Sequence, residues 1–320
     1  MNNGMDPNAA NGRSVILIGA DGFIGTEIHR HLASTGWNVL SCVYARRPRA
    51  DERRLDVTRA DDFRSLPEGM PVVNAAGLPD QSVATRLMRK VHVRGMRNLT
   101  EWAVRTQCPH IVQMSSVSVY GNATVGIGRS EDATKRRTWN PLSASLPYGR
   151  TKARAEAVLE RSGTPWSALR LPAVYGPGDS FLSRQLHRLI TGSDAMPPGG
   201  SKPVSLFPID DIGPLIERVL EHGPLDAALN AAGTHVPWME ILETYANALG
   251  TPLRFAPRVR IADFLAFADP GRQMAVYYGR FGAEFPDDAL RARLGWTPET
   301  DWRKTARRAA EALADPAPGR

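Results

Sequence analysis

Residues 14–18 form an apolar run of β-branched and leucine side chains that stops at Gly19. A glycine-spaced string follows at once: Gly19-Ala20-Asp21-Gly22-Phe23-Ile24-Gly25. A short apolar run closed by glycine suits a strand buried on both faces. Residues 23–35 then read as a helix and residues 38–43 as a second strand. The alternation recurs as strand 71–75, long helix 82–106, strand 110–114, helix 148–161 and strand 166–170. Strands alternating with helices predict βαβ units whose right-handed crossovers build one parallel sheet with helices on both faces. Ligands of such sheets bind beyond the carboxyl ends of the strands.

From Gly176 onward prolines and glycines become frequent and the elements shorten, while residues 227–231 look like one more buried strand returning to the sheet. The expected fold is therefore α/β, a Rossmann-type doubly wound parallel sheet with a smaller C-terminal substrate lobe. The expected division is a leader at 1–13 and a dinucleotide-binding domain at 14–175, to which a segment near 207–233 returns. The substrate lobe then takes 176–206 and 234–314, and the tail at 315–320 frays.

Composition narrows the class. At 320 residues and 42% hydrophobic content the chain can fill a sizeable core. No apolar run approaches the roughly 18 to 20 residues of a membrane-spanning helix, and the leader has no apolar signal-peptide centre. Two cysteines, Cys42 and Cys108, cannot make a disulfide framework, which points to a cytoplasmic protein. The net charge of +7 comes from scattered basic residues interleaved with acids, without a nucleic-acid motif. Neither a membrane, a nucleic acid nor a metal is an expected partner.

Three motifs carry chemistry. In the glycine string, Gly19 permits the tight turn, Gly22 lets backbone approach a pyrophosphate, and Gly25 lets helix pack close on strand. The N–H groups and positive end of the following helix would hold the phosphates. In Tyr148-Gly149-Arg150-Thr151-Lys152, a phenol and an ammonium lie four residues apart on one helix face. A free tyrosine has a pKa near ~10, and a neighbouring cation favours its phenolate; the bland alternative is an exposed tyrosine beside a solvated lysine. The third motif, Gln113-Met114-Ser115-Ser116-Val117-Ser118-Val119-Tyr120-Gly121, leaves a strand, where a serine hydroxyl would face the same cleft. Strand-end serines also serve as simple turn residues.

With these motifs on the page, the sequence resembles the extended short-chain dehydrogenase/reductase family, also called NAD-dependent epimerase/dehydratases. Further segments carry the resemblance: Leu55-Asp56-Val57, Asn74-Ala75-Ala76-Gly77, Val93-Arg94-Gly95-Met96-Arg97-Asn98-Leu99, the run from Leu169 to Gly178, Phe207-Pro208-Ile209-Asp210-Asp211 and Leu294-Gly295-Trp296-Thr297-Pro298. The resemblance implies an oxidoreductase with Ser116, Tyr148 and Lys152 as catalytic residues. Tyr148 would be the general acid/base, Ser116 the hydroxyl that orients the substrate oxygen, with Ser118 a weaker candidate. Lys152 would bind the nicotinamide ribose and depress the tyrosine pKa. The cofactor would meet Gly19, Gly22, Phe23, Ile24 and Gly25 at its phosphates, Asp56 and Val57 at adenine, Ala75 and Ala76 along the fourth strand, and Leu171 and Pro172 at the nicotinamide. His92 departs from the family, which usually has Asn there to prop the active-site backbone; it either substitutes structurally or alters proton handling. The resemblance also implies a homodimer through the helices at 82–106 and 148–161.

Cofactor and substrate expectations rest on departures from the family. Where members that prefer NAD have an acid at the end of the second strand, this chain has Val43, followed by Tyr44, Ala45, Arg46 and Arg47. Without that acid a 2′-phosphate is not repelled there, and Arg46 or Arg47 could grip it, so NADP is expected, with NAD as the alternative. The family's nucleotide-sugar enzymes hold the substrate with an Asn, an Arg and an Arg-Pro-Gly-Asp segment. The matching positions are Ala173, Val204 and Tyr278-Gly279-Arg280-Phe281. A diphosphate left without such partners is costly to desolvate. The expected substrate is therefore a less charged carbonyl or secondary alcohol; a nucleotide-sugar epimerase/dehydratase and a non-catalytic NADP-sensing protein are the alternatives.

Overall fold

A computed structural model describes residues 13–78, 83–124, 131, 147–192, 199–255 and 278–314. The expected leader up to residue 12 and the tail at 315–320 lie outside the described residues.

The first strand, β1 (Ser14–Ile18), is followed by α1 (Phe23–Ser34), β2 (Asn38–Val43) and a two-residue β3 (Arg53–Arg54). Next come β4 (Val72–Asn74), α2 (Thr85–Met88), a π-helical turn (Arg89–Arg94) and α3 (Gly95–Arg105). Then follow β5 (Ile111–Ser116), α4 (Pro147–Glu160) and β6 (Trp166–Leu171). With β9 (Ala227–Asn230) these strands form a seven-stranded sheet in the order β3-β2-β1-β4-β5-β6-β9, and every pairing is parallel. The order reverses beside β1, so the carboxyl ends of β1 and β4 open the crevice in which such sheets take a ligand. The helix expected across 82–106 is interrupted, because the π turn inserts into it at His92.

Both faces of the sheet are buried, which is why its strands read as unbroken apolar runs. Val15 and Leu17 face one layer with Ile28 and Leu32 of α1. Ile16 and Ile18 face the other, with Met96, Leu99 and Trp102 of α3 and Leu159 of α4. Burying each such side chain contributes roughly 1.5 to 3 kcal/mol.

Pro172 follows β6, and its missing N–H ends that strand's ladder. Beyond it, β7 (Ala173–Tyr175) pairs instead with β8 (Pro203–Pro208), which pairs antiparallel with β10 (Thr234–Pro237). This small sheet packs with α5 (Leu182–Thr191), α7 (Trp238–Ala248) and α9 (Trp302–Ala314) around a separate core that holds Tyr175, Trp238, Tyr245 and Trp302. Between β8 and β9, α6 (Ile212–His222) rejoins the large sheet's outer layer, as does α8 (Asp288–Leu294). The chain thus moves repeatedly between the two sheets at the carboxyl ends of the large one.

Candidate active site

The end of β5 and the start of α4 meet where a side chain is missing. A Cβ on Gly149 would lie 2.0 Å from the carbonyl oxygen of Ser118, so the helix approaches the Ser116–Ser118 segment only because residue 149 is glycine. That approach brings Tyr148 against Ser116, and their side chains share a hydrogen bond. The Ser116 Oγ also accepts from the Ser118 N–H at 3.2 Å.

One turn along α4, Lys152 is buried and its Nζ donates to the Met114 carbonyl at 2.8 Å. The same carbonyl accepts from Gln113 Nε2 at 2.7 Å, and Asn74 Nδ2 donates to Gln113 Oε1 at 2.7 Å. The ammonium lies 5.9 Å from the centre of the Tyr148 ring. Burial pulls Lys152 down to about 8, opposed by the Glu156 carboxylate one turn further on. Burial pushes the Tyr148 phenol up to about 12, and the Ser116 hydrogen bond pulls it partly back. Desolvation dominates at the phenol while the ammonium is engaged by a carbonyl on the strand.

His92 is fully engaged. Its Nδ1 lies 2.8 Å from Thr151 Oγ1, which itself donates to the Tyr148 carbonyl at 2.8 Å, so the imidazole N–H donates to the hydroxyl. Its Nε2 accepts from the Leu78 N–H at 3.0 Å. Burial and the charge of Lys152 push its pKa down to about 3, so the ring is neutral at ordinary pH. It meets Tyr148 edge-on at 5.6 Å and braces both the tyrosine turn and the β4 loop. The neutral ring thus ties α4 to the loop after β4 through two hydrogen bonds.

A buried polar network backs these groups, and sequence inspection missed it. Arg170 on β6 donates to Glu156 through Nε at 3.1 Å and a terminal nitrogen at 2.7 Å, and to the Tyr120 hydroxyl at 3.1 Å. Ser115 Oγ donates to the same carboxylate, and Tyr120 donates to Asn230 Oδ1 at 2.6 Å. The network ties β5, α4, β6 and β9 together directly behind Ser116 and Lys152. Its one sequence signal is the spacing of Lys152 and Glu156, four apart on the same helix face.

At the other end of the crevice the residues fit a dinucleotide phosphate. Gly19 has φ +80°, a Cβ there would lie 2.8 Å from the Ala76 nitrogen, and a Cβ on Gly25 would lie 2.0 Å from the Gly19 carbonyl oxygen. The helix α1 starts at Phe23 behind its N-cap Gly22, which makes no side-chain cap bond, so its first N–H groups are left for a ligand. Phe23, Ile24 and Ala75 each pack their side chains on the core. Asp56 Oδ1 accepts from the Thr58 N–H at 2.9 Å, and the Val57 carbonyl accepts from Asn98 Nδ2 at 2.8 Å. Leu171 and Pro172 are buried at the end of β6, next to Ser116 across the ladder. Ala76 is half-buried beside the Gly19 turn. Arg46 is not open: its guanidinium takes Glu52 in two bonds of 2.5 and 2.6 Å. The Arg47 side chain is exposed. Among the described residues no cluster of metal-ligating side chains occurs, and no helix is long and apolar enough to cross a membrane.

The sequence matches the NAD dependent epimerase/dehydratase family over residues 15–238. The chain belongs to that family. One relative is a dTDP-4-dehydro-6-deoxy-D-allose reductase from a Streptomyces species, 26% identical over 313 residues, covering 88% of this chain and 94% of the relative. Another is a UDP-glucose 4-epimerase of Vibrio cholerae, 25% identical, covering 75% of this chain and 77% of the other. Among solved structures, the Bordetella bronchiseptica enzyme WbmG in complex with NAD superposes with a TM-score of 0.71 at 18% identity, covering 95% of this chain and 94% of that one. As a member of the family, the chain is an extended-type oxidoreductase that works with a nicotinamide cofactor.

Proposed function

We propose that this family member moves a hydride between the nicotinamide and the carbon of a carbonyl or secondary alcohol, with Tyr148, Ser116 and Lys152 as its catalytic side chains. The observation that carries the reading is their grouping at the end of β5: a phenol hydrogen-bonded to a hydroxyl, with an ammonium one turn away. When bound, the nicotinamide supplies or accepts the hydride. Tyr148, protonated at neutral pH, donates its proton to the substrate oxygen as negative charge develops there. Ser116 holds the same oxygen by a second hydrogen bond, and the positive charge of Lys152 favours the phenolate left behind. Gly19, Gly22, Gly25 and the start of α1 hold the pyrophosphate, and Asp56, Val57, Ala75, Ala76, Leu171 and Pro172 line the rest of the crevice.

For the substrate, the residues favour a less charged carbonyl. Val204 is buried in β8 opposite Val236, and Ala173 lies in β7 opposite Leu206. Neither offers a diphosphate a hydrogen bond. A second reading, reduction or epimerisation of a nucleotide-linked sugar, is favoured by the names of the curated relatives. Arg184, Arg188, Lys202 and Arg280 are exposed cations on the lobe that would serve it. The homodimer remains part of the proposal. An open groove of about 550 Å³ beside α2, the π-helical turn, α3 and α4 is lined by Arg86, Arg89, Lys90, Arg94, Arg97 and Arg154, so pairing there needs counter-ions.

The test is a panel of ketones, aldehydes, secondary alcohols and UDP-, GDP- and dTDP-sugars, read by nicotinamide absorbance and thermal shift. At least one simple carbonyl or alcohol is expected to turn over, and Tyr148→Phe to abolish that turnover while leaving cofactor affinity intact. Lys152→Ala should lose both. Near-full turnover in Tyr148→Phe overturns the catalytic assignment, and stabilisation by nucleotide sugars alone puts the second reading first.

A further inference from the structure

The absence of an acid at the end of β2 removes the usual barrier to a 2′-phosphate, yet the fold restores one from elsewhere. Asp21 lies in the glycine string, and its Oδ2 accepts the N–H of Tyr44 at 3.0 Å and of Ala45 at 2.6 Å. Those two N–H groups belong to the residues that follow β2, where sheets of this kind meet the hydroxyls of the adenosine ribose. Asp21 thus spans the phosphate-binding turn and the end of β2.

We infer that Asp21 is the residue that sets cofactor choice, and that it makes this chain select NAD(H) over NADP(H). The inference rests on the dinucleotide-binding role proposed above. Its carboxylate does what an acid at position 43 would do: it offers acceptor oxygens to ribose hydroxyls and repels a phosphate ester at the same place. It also occupies two backbone donors that a 2′-phosphate would otherwise use.

The cations on the neighbouring loop offset it only in part: Arg46 feels the Asp21 charge but is paired elsewhere. Both terminal nitrogens of Arg46 are committed to Glu52, whose Oε2 also accepts the Arg49 N–H at 2.8 Å. Arg46 holds the Glu52 carboxyl down at about 2, so the pair stays ionised across the working pH range. Arg54 lies over the Tyr44 ring at 5.3 Å. Arg47, Arg49 and Arg53 are exposed, with no side-chain partner for their guanidinium groups among the described residues. These guanidinium groups are solvated and not fixed at the site, whereas the Asp21 carboxylate is held there by two backbone donors.

Calorimetric titration of the full chain with NADH and with NADPH tests this without any substrate. NADH should bind at least tenfold more tightly than NADPH. Asp21→Asn keeps an oxygen for the Tyr44 and Ala45 N–H groups but removes the charge. It should tighten NADPH binding about tenfold, with NADH changed by less than threefold. Adding Glu52→Gln frees Arg46 and should tighten NADPH further. Tighter NADPH binding in the parent, or an unchanged NADH-to-NADPH ratio in Asp21→Asn, overturns the inference and leaves the oxidoreductase reading standing. Failure of both nucleotides to bind the folded parent overturns the oxidoreductase reading and this inference with it.

Discussion

The Glu156–Arg170 pair is the place where the site's stability can be measured. Both side chains are buried, at 7% and 5% exposure, and the carboxylate takes two guanidinium hydrogen bonds and one from Ser115. Glu156→Leu keeps much of the volume and removes all three acceptor contacts. Breaking a buried ion pair from one side costs about 3 to 5 kcal/mol, because the remaining charge stays desolvated. Replacing both partners by apolar groups is often neutral, so Glu156→Leu/Arg170→Met should recover most of that loss. Denaturant unfolding followed by circular dichroism on the parent, both single variants and the double closes the cycle. A coupling of at least ~2 kcal/mol is expected. The same variant removes the charge that opposes desolvation of Lys152, so its pKa falls further below about 8 and the alkaline limb of activity moves to lower pH. A loss under ~1 kcal/mol in Glu156→Leu, or additive single losses, would refute the view that this pair holds β5, α4 and β6 in register.

Two smaller changes test the catalytic corner. Gly149→Ala sets a methyl 2.0 Å from the Ser118 carbonyl oxygen and must part Tyr148 from Ser116 by about 1 Å. Turnover should fall on the order of a hundredfold, while Arg150→Ala, an exposed change on the same turn, leaves it unaltered; equal rates for the two would discredit the close-approach argument. His92 titrates near about 3 in the fold against an ordinary 6.5, so the unfolded chain takes up the proton first. Its stabilising contribution is complete above pH 6.5 and drains away towards pH 3, at up to ~1.4 kcal/mol per pH unit. His110, pushed down to about 4 by burial, adds a similar slope over the upper part of that range. His92→Asn should flatten the acid side of a stability-versus-pH curve by one proton's worth, and an unchanged slope would mean that His92 is not neutral in the fold.

The large sheet was legible in the sequence because strands buried on both faces leave continuous apolar runs, as in Val15 to Ile18, and because glycine spacing marks the turn that follows. The return of residues 227–230 beside β6 was legible for the same reason. Ser116, Tyr148 and Lys152 were legible as residues, and only the fold brings β5 against α4 so that they meet. Other features are pairings between distant residues whose types say little by themselves. Glu156 with Arg170, His92 with Thr151 and Leu78, and Asp21 with the end of β2 are set by which strands lie next to each other. Periodicity reports which face of an element is buried, whereas the partner of a buried charge depends on the strand order. Val43 read alone implied tolerance of a 2′-phosphate. That the Asp21 carboxylate takes the N–H groups just after β2 follows only from the parallel pairing of β1 with β2.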